Sequence, residues 1–189
     1  MNTWGAYLDT HIDVAKALDL KLIRELQTLL IQKIELEQTI FTFGNGGSAA
    51  TANHFSAGLS LLGTRTGTNC RSISLNSDLA LGTAVANDLD YDEVIQEQLS
   101  IFAREGDLAV GFSASGNSKN IIQGLTRAVI MGLDAWAIVG FDGGSMCSLN
   151  EVKVIKFSSP KNYGLVENIH MCLAHYLTDN LVEHFKKDA

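Results

Sequence analysis

The stretch "SASGNS", Ser113 to Ser118, follows the apolar run "LAVGF" and leads into residues that read as a helix. It sets the hydroxyls of Ser113, Ser115 and Ser118 around Gly116, with the backbone of Ala114 among them. A strand that turns straight into a helix presents unpaired amides, here those of Asn117, Ser118 and Lys119. Glycine lets an anion approach such amides without a Cβ in the way. A phosphate monoester has three free oxygens that accept these bonds. The loop reads as a phosphate cradle built without arginine. A second stretch, "GNGGS", repeats the arrangement after "IFTF" and contributes Asn45, Gly46, Gly47 and Ser48. Neither loop has the GxxxxGK[ST] spacing of a nucleotide-triphosphate loop, and "GNGGSA" departs from GxGxxG.

Such loops need a scaffold that delivers both to one place. Residues 4–38 predict two helices, with Leu, Ile and Val recurring at three- and four-residue steps. From residue 40 short apolar runs alternate with helical stretches: "IFTF" then 48–62, "CRSISL" then 78–102, "LAVGFS" then 117–132, "AWAIVG" then a turn, "VKVIKF" then 163–186. This alternation implies parallel strands with crossover helices on both faces. The expected architecture is α/β, a three-layer α/β/α sandwich of about five parallel strands preceded by a helical pair, with the whole of 1–189 as one domain. Ligands in such sheets sit at the carboxyl ends of the strands, where both loops fall. The helical pair carries more apolar surface than one sheet face needs, so residues 1–38 are expected at an oligomer interface.

Composition narrows the function classes. A net charge of −7 with no basic run argues against nucleic acid as a direct partner. The apolar stretches fall short of a membrane span, and "MNTWGAYLDTHIDVAKAL" lacks the basic head and apolar block of a secretory signal. Cys70, Cys147 and Cys172 show no CxxC spacing and read as buried reduced thiols of a cytoplasmic protein.

Taken together, "GNGGS…NHF", "AVANDLDYDEVIQEQL", "FSASGNSKNI" and "FDGGSM" resemble the sugar isomerase (SIS) domain family, in particular its phosphoheptose isomerase branch. The resemblance implies a flavodoxin-like fold, a homotetramer with active sites shared between subunits, and a phosphorylated sugar held by the serine loop. It also implies conversion of sedoheptulose 7-phosphate to a heptose 7-phosphate for surface-glycan precursors.

Aldose–ketose isomerisation needs a base beside the C1–C2 unit and a donor for its oxygens. It is redox-neutral and requires no nucleotide cofactor. The resembled family carries a histidine and a glutamate one turn apart after the GNGGS loop, and a glutamine and a second histidine on the last helix, a set that can hold zinc. These positions correspond to His54, Gly58, Glu167 and His175. Gly58 has no side chain, so the family's acid/base pair does not transfer intact. Glu167 is expected as the base with His175 as partner acid, and Asp88 beside the substrate. His54, Glu167 and His175 could supply three zinc ligands, although about 12 Å of helix separates the last two. The alternative is a non-catalytic sugar-phosphate-binding or regulatory scaffold. Of the remaining side chains, His170 reads as structural, Met171 and Cys172 as core, His11 and His184 as solvated, and "GFDGGS" as a turn that could shape the pocket rim.

Overall fold

The computed structural model describes residues 3–186. Helices α1 (Trp4–Lys16) and α2 (Leu20–Glu35) open the chain. Strand β1 (Ile40–Phe43) is followed by α3 (Gly47–Ser60), the short α4 (Leu62–Thr66) and β2 (Ser72–Ser74). Then come α5 (Leu79–Asp88), α6 (Val94–Phe102), β3 (Leu108–Ser113), α7 (Lys119–Ile130), β4 (Asp134–Val139), β5 (Val152–Lys156) and α8 (Tyr163–Lys186). Every strand pairing is parallel, in the order β2-β1-β3-β4-β5. The chain thus reverses its direction of winding between β1 and β3, the crevice where such sheets bind ligands.

The strands are buried on both faces, and their two-residue period divides the core in two. Ile40, Leu108, Val110 and Phe112 point to the face covered by α2, α3 and α8. Phe41, Phe43, Ala109 and Val139 point to the face covered by α6 and α7. Helix α2 commits Ile23, Leu26, Leu30 and Ile34 to this chain's own core. The apolar surplus expected of the helical pair therefore lies in α1, where Trp4, Leu8 and Ile12 stay exposed at four-residue steps.

The stretch 78–102 is not one helix. The Asp78 carboxylate accepts from the Leu81 amide at 2.9 Å to start α5, and the Asp90 carboxylate accepts from the Asp92 amide at 2.9 Å to start a one-turn 3-10 helix at Tyr91–Glu93. Aspartates satisfy their own chain's amides in this way and so break helices they do not cap. α5 itself is apolar, yet none of its residues is buried.

His170 on α8 is fully buried, with its ring edge-on to Phe112 and Phe157. Neither ring nitrogen has a hydrogen-bond partner among the described residues. Burial holds its pKa down at about 3, against 6.5 for a free imidazole. The native state keeps the ring neutral while the unfolded chain takes up a proton below pH 6.5. Stability should therefore fall as pH drops from 6.5 towards 3, by about 1.4 kcal/mol per pH unit from this group. In urea unfolding at pH 7.5 and 5, His170→Leu should lose about 2 kcal/mol less than wild type across that step. Equal losses would contradict the assignment.

Candidate active site

The serine loop leaves the centre of the sheet at the end of β3. The Ser113 hydroxyl accepts from the Gly116 amide at 3.1 Å, and the Ser115 hydroxyl accepts from the Asn117 amide at 3.2 Å. Gly116 has φ +65, and a Cβ there would overlap the Gly143 carbonyl, so only glycine fits. The segment "DGGSM" braces the loop from outside. Asn117 Oδ1 accepts from the Ser145 amide and hydroxyl, both at 2.9 Å, and the Met146 amide donates to Gly116 O at 3.0 Å. What read as a turn that could shape the pocket rim is a buttress of the serine loop. Asn117, expected to face the substrate, spends its side chain on this brace.

The glycine loop leaves β1 beside it. Asn76, beyond β2, holds Gly44 at both ends: Gly44 N–H donates to its Oδ1 at 2.9 Å, and its Nδ2 donates to Gly44 O at 3.0 Å. Gly46, at φ 54, turns the chain into α3. The Glu167 carboxyl from α8 occupies the space a side chain at Gly47 would fill; a Cβ there would overlap all three of its terminal atoms. The positive end of the α3 dipole favours a carboxylate at that place. This corrects the expectation that both loops are open to the anion. The α3 end already faces a carboxylate, whereas the serine loop and the start of α7 face none.

Between the loops lies a cleft of about 100 Å³. Asn45 and Ser48 line one wall and Ser113, Ala114, Ser115 and Ser118 the other, with Phe112 also lining it. Tyr163 and Glu167, one turn apart on α8, complete it. A larger open basin of about 590 Å³, lined in part by Lys21, Arg24, Glu25 and Lys153, lies by the amino ends of β4 and β5. That is the wrong end of a parallel sheet for substrate.

Six expected site residues, Gly46, Gly47, Asn117, His54, His175 and Asp88, are not among those lining this cleft. His54 and His175 meet edge to face, with ring centroids 4.7 Å apart, on an exposed ridge between α3 and α8. Asp88 is exposed at the end of α5 and accepts from Asn87 at 2.8 Å. The reason for the histidine's place is helical. The buried face of α8 runs through Leu165, Val166, Ile169, Leu173, Ala174 and Leu177, which puts Glu167, Met171 and His175 along its flank. Only the first of these reaches the loops. The same count corrects the core reading of Met171, which is half-buried, and of Cys172, which is exposed. Cys147 is exposed too, and only Cys70 is buried. His11, expected in solvent, is half-buried and bonded to the Tyr7 carbonyl and to Asn168, and His184 is half-buried against Phe185.

Gly58 faces α8, where an added Cβ would stand 3.0 Å from the Thr178 methyl. The zinc set therefore does not fit: the two histidines pair, but Gly58 gives nothing and Glu167 is turned to Gly47. Among the described residues no group of three His, Cys, Asp or Glu side chains could hold a metal ion. Sequence reasoning missed Asn76, Tyr91, Asn120 and Tyr163. The i, i+4 spacing of Tyr163 and Glu167 was a readable signal; the others act across 32 to 75 residues of chain.

The sheet order and the cleft at the β1/β3 crevice define a class, and the SIS domain model matches residues 4–140, α1 included. The phosphoheptose isomerase of Helicobacter pylori strain P12 is 33% identical over 167 residues, 87% of this chain and 85% of its own. That of Shewanella denitrificans is 33% identical over 175 residues, 92% of this chain and 89% of its own. The solved phosphoheptose isomerase of Neisseria gonorrhoeae superposes with a TM-score of 0.82 at 28% identity, covering 94% of this chain and 95% of that one. The chain belongs to the SIS domain family, in its phosphoheptose isomerase branch.

Proposed function

We propose that this protein is an isomerase of phosphorylated sugars that interconverts sedoheptulose 7-phosphate and a heptose 7-phosphate in the cytoplasm, for surface-glycan precursors. One observation carries the reading: a single cleft sets a serine-lined anion cradle opposite the carboxyl of Glu167. The Ser115 and Ser118 hydroxyls and the first amides of α7 hold the phosphate. The sugar then runs towards Gly47, with C1 and C2 beneath Glu167.

Glu167 takes the proton from C1 of the ketose, the electron pair forms the C1–C2 double bond, and the C2 oxygen becomes the enediolate oxygen. Asn45 and Ser48 donate to the sugar oxygens as charge develops. Protonation at C2 and loss of the O1 proton complete the aldose, and the same carboxyl can carry the carbon-bound proton both ways. Asp88, exposed at the end of α5, is assigned the orientation of substrate hydroxyls.

His175 serves as partner acid in a site completed by another copy of the chain, since its ring lies on an exposed ridge. The assembly is a homo-oligomer, a tetramer in our reading. Unburied apolar α5 and the Trp4, Leu8, Ile12 stripe supply the surface it would cover. Among the described residues no helix is long and apolar enough to cross a membrane.

Gly58 supports a second reading, a sugar-phosphate-binding regulator that keeps the cradle without turnover. Incubation of purified protein with sedoheptulose 7-phosphate, with and without zinc, separates the two. Product formation supports the isomerase; binding without turnover under both conditions supports the regulator.

A further inference from the structure

Asn45 is held by more than its own loop. Its Nδ2 donates to Asn120 Oδ1 at 2.8 Å, and Asn120 Nδ2 donates back to Asn45 Oδ1 at 2.8 Å. The Tyr91 hydroxyl donates to the same Asn45 Oδ1 at 2.7 Å. Asn120 is buried on α7, whereas Tyr91 stands more than half exposed on the 3-10 turn after α5. The Asp92–Lys119 ion pair at 3.6 Å ties that turn to the start of α7, one residue after Ser118. The turn thus touches the glycine loop at Asn45 and α7 at Lys119, directly after the serine loop.

A carboxamide offers two acceptor sites on oxygen and two N–H donors. Both acceptor sites of Asn45 are filled, by Tyr91 and Asn120, and one N–H is spent on Asn120. The group left for the cleft is a single N–H. We infer that Tyr91 and Asn120 are positioning residues that fix Asn45 as a hydrogen-bond donor towards a sugar oxygen. The donor faces lone pairs and rejects hydroxyl hydrogens, so it is matched to the C2 carbonyl and better still to the enediolate oxygen. Without the Tyr91 hydroxyl, one acceptor site is freed and the amide can turn over, presenting its oxygen to a developing negative charge. This rests on the site reading given under Proposed function.

The test is a double-mutant cycle on the full chain with Tyr91→Phe, Asn45→Ala and both together. Sedoheptulose 7-phosphate affinity and kcat/KM are read beside inorganic phosphate affinity and Tm. Tyr91→Phe removes one exposed hydroxyl and should fold. It should lower sugar-phosphate kcat/KM, or affinity if the protein only binds, by roughly tenfold, the effect of one hydrogen bond to a charged group. Inorganic phosphate, which needs only the serine loop, should bind with unchanged affinity. In the Asn45→Ala background Tyr91→Phe should change neither quantity by more than about twofold, because its route is gone. Asn45→Asp, which keeps the acceptors and loses the donor, should be as damaging as Asn45→Ala. Additive losses, a parallel loss of inorganic phosphate affinity, a silent Tyr91→Phe or a fully active Asn45→Asp would each overturn the inference. Binding without turnover in wild type would sink the isomerase reading and leave this inference judged on affinity. A wild type that binds inorganic phosphate but no sugar ester would sink both.

Discussion

Glu167→Gln should lower kcat for sedoheptulose 7-phosphate by about 10²- to 10⁴-fold, the range for loss of a positioned general base. Sugar-phosphate affinity should change by only a few-fold. The substitution keeps the side chain's shape, so the amide can fill the space over Gly47 that the carboxyl fills now. It keeps the cleft and removes the basic oxygen. The split matters: a KM effect with intact kcat would mean that Glu167 only binds. An equal fall in Tm and in both constants would mean that it only holds α8 to α3. Steady-state kinetics with a melting curve decides among these. Because the position corresponds to a glutamine in the resembled family, the same variant also asks whether the carboxylate has taken over from the residue absent at Gly58.

The paired change Ser115→Ala, Ser118→Ala should weaken sugar-phosphate binding by about 3 kcal/mol or more, roughly 150-fold, taking about 1.5 kcal/mol for each hydrogen bond to a charged group. Inorganic phosphate should weaken in step, which distinguishes this pair from Tyr91→Phe. Ser113 is the wrong residue for the experiment. Its hydroxyl is buried against the Gly116 amide, so its loss would deform the loop first. The Ser115 hydroxyl also accepts from an amide, that of Asn117 at 3.2 Å, but it is only half-buried and keeps its proton and a second lone pair for the ester. Ser118 makes no capping bond to α7 and has its hydroxyl available to the cleft. Calorimetric titration of both ligands measures the effect. Unchanged affinity for the ester would remove the cradle from the account.

How far these residues could be read in advance depended on whether their signals were local. "LAVGFS" is β3 residue for residue, and 163–186 is α8, because a fully buried strand and a long helix each carry their period within themselves. The two loops were legible as strand–helix junctions for the same reason, since their glycines and serines follow directly on an apolar run. Asp78 capped the expected helix where it was read to begin, but Asp90 broke it where apolar content alone had run straight through. The place of Glu167 on Gly47 was out of reach, since it joins residues 120 apart through the packing of α8 across α3. Within one copy of the chain His54 and His175 stand together, ring centroids 4.7 Å apart, while Glu167 lies over Gly47. One helix cannot aim residues 167 and 175 at the same point, and the flank that carries both faces the cleft only at its first turn. The SIS resemblance located these positions, but only the geometry separated them.

The most direct measurement is a crystal structure with sedoheptulose 7-phosphate bound. The phosphate should lie among the Ser115 and Ser118 hydroxyls and the α7 amides, with C1 and C2 within hydrogen-bonding reach of the Glu167 carboxyl. A phosphate seated over α3 with Glu167 displaced, or a sugar carbon chain directed away from Gly47, would contradict the account.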